Sequence, residues 1–382
     1  MKFSRLIWAN LTRKKVRLLL TLGSFAVALL LFAFLAVVKD SFRRGTDIAG
    51  ADRLIIINRT SIINPLPLSY RDKISRIPGV KSVTHNNWFG GIYQDQKNFF
   101  PQFVIDPDNQ RQVISELIVP DDQWAAFLKD RQGAIVGART AARFHWKIGD
   151  RIPLKSTLWG GSTPEFNLVG IYHGKREQDD ETQFWFKWDY FEENVPARIK
   201  GNVGWYVLRL NSPDDAVSVA KTIDEQFANS PYETKTQTES TFIANWVKQF
   251  GNIEFLIVSI GTVVFFTLLL VTGNTMAISV RERIGELAVL KAIGYGDRTV
   301  LFFVLTESLA IALVGGLLGL ALAKLTVPLL DKLLNGRLPN LILSPSILAS
   351  GLVVAVLVGI ISGLLPGISA MRMRVINALR RV

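Results

Sequence analysis

The chain contains no cysteine, which excludes disulfide frameworks, thiolate metal sites and cysteine nucleophiles. Histidine is nearly as scarce. His85, His145 and His173 are the only three, and they lie too far apart in sequence to form a His-Glu-x-x-His metal helix. A Gly-x4-Gly-Lys-Ser/Thr phosphate loop is also missing, because Gly174-Lys175 lacks both the earlier glycine and the following hydroxyl. Finally, four long stretches have almost no charge. Residues 18–38, 255–280 and 338–371 carry none, and residues 299–323 carry only Glu307.

A spanning helix needs ~20 apolar residues, so the four runs read as four membrane spans. Buried core helices of that length would show more polar punctuation. The first run is longer than the ~7–15-residue core of a signal peptide and lacks a small-residue cleavage site near Ala36, so it is expected to be a retained anchor. Residues 1–17 mix Phe3, Leu6, Ile7, Trp8 and Leu11 with basic residues, the pattern of an interfacial amphipathic helix.

The net charge of +12 suggests nucleic acid only until its position is read. Basic residues flank the spans: Arg13, Lys14, Lys15 and Arg17 before the first; Arg281, Arg283, Lys291 and Arg298 between the second and third; Arg372, Arg374, Arg380 and Arg381 after the fourth. The positive-inside rule puts these segments and both termini in the cytoplasm. Residues 39–248, expected outside, hold 27 basic and 26 acidic residues and are nearly neutral. The excess charge therefore faces anionic lipid, and no nucleic-acid partner is expected.

The outside domain, 39–250, reads as two similar strand–helix–strand units. In the first, Arg53–Asn58 is a strand, 69–77 a helix and 80–85 a strand. In the second, Trp205–Leu210 is a strand, 216–227 an amphipathic helix and 232–237 a strand. These give an α/β subdomain over 50–90 and 200–240. Between them, 90–200 reads as a mostly β insertion, with strands at 103–105, 134–137, 151–154 and 166–172 and a helix starting at Asp121. Eight of nine tryptophans lie outside the membrane, most densely in residues 184–190 (FWFKWDY). An ordinary strand with Phe184, Phe186 and Trp188 on one face is preferred there to a partner or lipid surface. The acids Glu177, Asp179, Asp180 and Glu181 lack the glycine-punctuated spacing of a calcium loop and read as a solvated turn. No metal site and no catalytic residue is expected.

The expected fold is thus an α-helical membrane protein with four transmembrane helices plus a large α/β extracytoplasmic domain. Its segments are the amphipathic helix 1–17, spans at 18–38, 251–280, 299–325 and 346–369, a cytoplasmic helix at 281–298, an outside loop at 326–345 and a tail at 370–382. Gly315-x3-Gly319 in span three and Gly359-x3-Gly363-x3-Gly367 in span four mark close helix contacts, within the chain or between copies. Glu307 lies about 12 Å into span three. A charge there is costly, so it is expected to pair with Lys291 or Arg298, to face a polar dimer interface, or to be protonated.

Residues 279–298 read SVRERIGELAVLKAIGYGDR. Glu282-Arg283, Glu286-Leu287-Ala288 and Leu290-Lys291-Ala292-Ile293-Gly294 resemble the signature of FtsX-like, MacB-type ABC transporter permeases, with Ala288 where that pattern usually has Gly. Gly363, Pro366-Gly367 and Ala378-Leu379-Arg380 resemble its C-terminus, with Val375 where Pro is common. The order of one span, a large outside domain and three spans matches too. The resemblance implies a bacterial inner-membrane permease whose 281–294 helix docks on a separate ATPase subunit. Arg281, Glu282, Arg283, Ile284, Glu286, Leu287, Lys291 and Gly294 would carry the coupling. ATP and Mg would be bound by that partner, with no cofactor in this chain. It also implies a second permease copy, as homodimer or heterodimer, and a periplasmic adaptor or lipoprotein as further partner. The action would be mechanotransmission that exports or extracts a drug or peptide, glycolipid or lipoprotein. The alternative is FtsX-like control of a cell-wall hydrolase. From the residues alone, Val280, Ile284 and Leu287 give the helix one apolar stripe. Glu282 and Glu286 are like charges four apart that an external basic partner would offset.

Overall fold

The structure, a computed structural model, describes residues 14–48, 50, 52–157, 163–176, 179–197, 199–249, 253–334 and 341–373. Most of the expected 1–17 helix, Glu177 and the 378–380 motif lie outside these residues. The chain divides into two compact units: residues 42–251 with 331–340, and the remaining helical segments.

Helix α1 (Lys15–Ile48) precedes a ten-stranded sheet. Its strands are β1 (Arg53–Asn58), β2 (Val80–Trp88), β3 (Gln102–Ile105), β4 (Leu117–Ile118), β5 (Gly133–Gly137), β6 (Arg151–Pro153), β7 (Glu165–Gly174), β8 (Phe184–Lys187), β9 (Trp205–Leu210) and β10 (Thr234–Thr238). The spatial order is β10-β1-β9-β2-β3-β8-β5-β7-β4, with β6 on β7. Helices α2 (Tyr70–Ser75), α3 (Asp121–Lys129) and α4 (Ala216–Gln226) pack against it.

The two strand–helix–strand units interleave. β9 lies antiparallel between β1 and β2, and β1 antiparallel between β9 and β10, which is the split βαβ arrangement. Strand alternation explains the layering. Leu54, Ile56, Val83, Tyr206, Leu208 and Leu210 point to the face covered by α2 and α4, where Tyr70, Ile74, Val219 and Ile223 complete one core. Tyr70 stacks on Phe227 with centroids 3.8 Å apart.

The 90–200 segment joins this sheet through Asn86–Trp88 of β2 against β3. Besides its strands it holds α3 and short helices at Gln110–Val113, Ala138–Phe144 and Trp188–Asn194. Asp121 and Asp122 favour the N-terminus of α3, and Trp124 and Phe127 bury its inner face in a second core with Ile135, Tyr172 and Trp185. The aromatic run differs from the one-faced strand expected. β8 is buried on both sides, Phe184 and Phe186 in the first core and Trp185 in the second, and Trp188 already begins a helix. Covered on both faces, the strand needs no polar alternation.

Helices α5 (Ile253–Glu282), α6 (Ile284–Ala292), α7 (Asp297–Leu334) and α8 (Pro345–Met371) follow. Among the described residues α1, α5, α7 and α8 are long and apolar enough to cross a membrane. The outside loop expected over 326–345 begins later, because α7 continues through Pro328 to Leu334. A proline inside a membrane helix removes only its own donor, and Val327 beside it is buried.

Glycine lets these helices approach. An added Cβ at Gly315 would sit 2.4 Å from Phe25 Cβ, and one at Gly319 2.4 Å from the Ala26 carbonyl oxygen, so both face α1. Gly359, Gly363 and Gly367 face Ala312, Ser308 and Leu301 of α7. Both glycine stripes are therefore occupied by contacts within the chain. Ser308 Oγ donates to the Gly359 carbonyl at 2.6 Å and lies 3.1 Å from Ser362 Oγ, joining α7 to α8.

Candidate coupling site

The break between α5 and α6 is one residue long. Arg283 leaves the helical region at φ −112°, ψ 16°, and α6 starts directly after it. The far end of α6 is closed by Gly294 at φ +101°, a value glycine adopts without a steric penalty. Tyr295 N–H donates to the Leu290 carbonyl and Gly294 N–H to that of Lys291, both at 3.1 Å, which is a Schellman cap.

The two faces of α6 differ. Leu287 and Ala288 are buried, and Leu287 joins the core made by Phe25, Met276, Val304 and Ala370. Lys291 also points inward, where its ammonium donates to the carbonyls of Met371 at 2.7 Å and Met373 at 2.9 Å and pairs with Asp297. A cation on the last carbonyls of α8 is favourable for both capping and dipole. The outer face carries exposed Glu286, Val289, Ala292, Ile293 and Tyr295. Val289 is 50% and Ile293 70% exposed, a high value for large apolar side chains outside a span.

Glu307 is 8% exposed and pairs with Arg283 at 2.7 Å, not with Lys291 or Arg298. Position explains the difference: Arg283 sits at the helix break beside α7, whereas Lys291 is held by α8. Ser279 Oγ lies 3.5 Å from the same carboxylate. Breaking a buried pair of this kind costs ~3–5 kcal/mol, because one charge is left unpaired. Arg283 also meets Glu286 at 3.3 Å. Glu282 accepts two bonds from Arg17, at 2.7 and 2.9 Å, and one from Lys14 at 2.6 Å.

These contacts revise the expected roles. Glu282 and Glu286 do not require an external cation, since Arg17, Lys14 and Arg283 supply one within the chain. Of the expected coupling residues, Arg281, Glu286 and Gly294 face outward, Ile284 is half-buried, and Leu287 and Lys291 face inward. Val289, Ile293 and Tyr295, exposed on the side of α6 opposite Leu287, were not among the individually expected residues, although that side is legible from the 3.6-residue period. Lys14, Arg17, Ser308 and Ser362 were missed because their partners lie on other helices.

Family models match both parts of the chain. The MacB-like periplasmic core domain matches residues 18–226, more than half of the chain, and the FtsX-like permease C-terminal domain matches residues 258–375. The chain belongs to the MacB- and FtsX-like family of ABC transporter permeases. It is similar to an uncharacterized ABC transporter permease of Methanocaldococcus jannaschii, 24% identical over 97% of this chain and 96% of that one. It is also similar to the macrolide export ATP-binding/permease protein MacB of Agrobacterium fabrum, 32% identical over 50% of this chain and 28% of that one. The cell division protein FtsX of Bacillus anthracis is 26% identical over 39% of this chain and 48% of that one. A membrane protein with an α/β extracytoplasmic domain follows, and an ATPase partner is implied by the family.

Proposed function

We propose that this chain is the membrane subunit of a MacB-type ABC transporter, receiving force at α6 and passing it through the bundle to the extracytoplasmic domain. Both termini and α6 lie on the cytoplasmic side. A separate ATPase binds ATP and Mg, and a second permease copy supplies the second coupling helix that two ATPase subunits need. The substrate, a drug or peptide, a glycolipid or a lipoprotein, is exported or extracted from the outer side, with an adaptor or lipoprotein as further partner. One observation carries this reading: α6 is two-faced, its inner face built into the bundle and its outer face apolar and exposed among the described residues. An exposed apolar edge at Val289 and Ile293, rimmed by Glu286, is the chemistry of a protein interface.

The test is co-purification of the full chain with its ATPase. Val289→Asp with Ile293→Asp is expected to weaken association at least tenfold while membrane insertion and melting are unchanged. Undiminished association would overturn the docking face. A second reading, FtsX-like control of a cell-wall hydrolase, draws on the match of the C-terminal model. A hydrolase activated by the chain without any co-purifying substrate would favour it.

A further inference from the structure

The polar groups at the basic end of the bundle form one connected line. Lys14, just ahead of α1, and Arg17 of α1 hold Glu282, the last residue of α5. The next residue, Arg283, holds Glu307 of α7. The next residue after that carboxylate, Ser308, bonds to Gly359 and approaches Ser362 of α8. Two adjacent pairs of residues, Glu282-Arg283 and Glu307-Ser308, thus link all four long helices.

We infer that this line is a crossbeam that makes the four helices respond as one body to a push on α6, with Arg283 and Glu307 as its positioning residues. The inference rests on the reading of α6 as the ATPase-coupling helix. α6 hangs between two joints, the single-residue break at Arg283 and the Schellman turn at Gly294. Joints of this kind absorb displacement. The Arg283–Glu307 pair bridges the first joint to the helix that follows the second, so both ends of α6 are referred to the same point on α7. A charged pair in a segment this apolar is costly to keep, and the glycine contacts already hold α1, α7 and α8 together without it. What the pair adds is a fixed geometry at the joint.

The test uses the full chain in lipid nanodiscs and needs no native cysteine removed. Spin labels at Ile293→Cys and Leu365→Cys, both exposed positions, report the distance between α6 and α8 without any ATPase. In unlabelled protein, maximal stimulation of the partner ATPase and its affinity are measured separately. Glu307→Gln is expected to broaden a narrow label distribution and to lower maximal stimulation about tenfold, with ATPase affinity changed less than twofold. Arg283→Gln is expected to broaden the distribution equally. The double variant is expected to be no worse than the worse single one, because both remove the same bond. A narrow distribution and full stimulation in Glu307→Gln, or additive losses in the double variant, would overturn the crossbeam. If the parent chain stimulates no ATPase, the coupling reading fails, and the label distributions alone decide the crossbeam.

Discussion

Gly319 gives the sharpest measure of how α1 and α7 touch. A Cβ there would lie 2.4 Å from the Ala26 carbonyl oxygen, 3.0 Å from its Cα and 3.0 Å from Leu29 Cβ. An ordinary carbon–oxygen approach is about 3.3 Å, so Gly319→Ala must push the helices apart by roughly 1 Å, and the obstacle is backbone that cannot rotate away. Overpacking of this kind costs ~1–3 kcal/mol. Gly261, with nothing within 4 Å of its added Cβ, is the control. There alanine relieves the helix penalty of glycine and gains up to ~1 kcal/mol. The helix gain applies at both positions and cancels, so the two variants should differ by the overpacking cost, roughly 1–3 kcal/mol. Tryptophan fluorescence would report mainly the outside domain, which holds eight of the nine tryptophans. Thermal unfolding is better followed with a thiol-reactive dye on a single Thr272→Cys, since that hydroxyl is fully buried and has no hydrogen-bond partner among the described residues. Gly319→Ala should melt lowest, the parent between, and Gly261→Ala highest. If Gly319→Ala melts with or above Gly261→Ala, α1 does not contact α7 at this glycine.

Two further perturbations test other parts of the structure. His85 is buried with no hydrogen bond to either ring nitrogen among the described residues, beside Trp188 and Tyr206 and with Nδ1 3.9 Å from the Asp106 carboxylate, and burial followed by the nearby Arg71 charge pushes its pKa down to about 3. The unfolded chain therefore binds this proton first. The contribution is fully present above the ordinary histidine pKa and is lost as pH falls from about 6.5 toward 3, up to ~5 kcal/mol. Asp106 is shifted up, by burial foremost, and works in the opposite sense. Its carboxylate lies 3.9 Å from His85 Nδ1, so the difference between parent and His85→Phe reads the histidine together with its coupling to Asp106. Tryptophan-detected urea unfolding should show a shallower acid decline in the variant, and parallel curves would refute the assignment. Lys291→Met removes two charge-assisted bonds to the end of α8 and should cost ~2–3 kcal/mol in the dye assay. Unchanged melting would mean that water replaces the ammonium fully.

The parts legible in the sequence share one property: their cause is local. The four spans follow from uninterrupted apolar runs, β1 and β9 from short apolar strands bounded by polar residues, and α3 from acids ahead of Trp124 and Phe127. The interleaving of the two strand–helix–strand units was not legible, since it requires β9, about 150 residues after β1, to slip between β1 and β2. The expected third span was bounded by the apolar run 299–323, whereas α7 continues past Lys324 to Leu334. The glycine stripes were recognised as contacts, but a stripe does not say whether its partner is a neighbouring helix or another copy. Steric distances to Phe25, Ala26 and Ser308 decide that.

Charge was hardest to read for the same reason. Sequence reasoning pairs an ion with neighbours three or four residues away, and on that basis Glu282 and Glu286 repel each other and ask for a partner outside the chain. Glu282 instead finds Lys14 and Arg17, 268 and 265 residues away, and Glu307 finds Arg283, 24 residues away. This changes how ATPase docking has to be tested. Reversing the charge of Glu282 would break the link between α1 and α5, so lost association after Glu282→Lys would not separate a ruined docking face from a loosened bundle. Val289 and Ile293 make no such link. They lie on the side of α6 that the bundle leaves open, so a polar substitution there changes what a partner meets and little else.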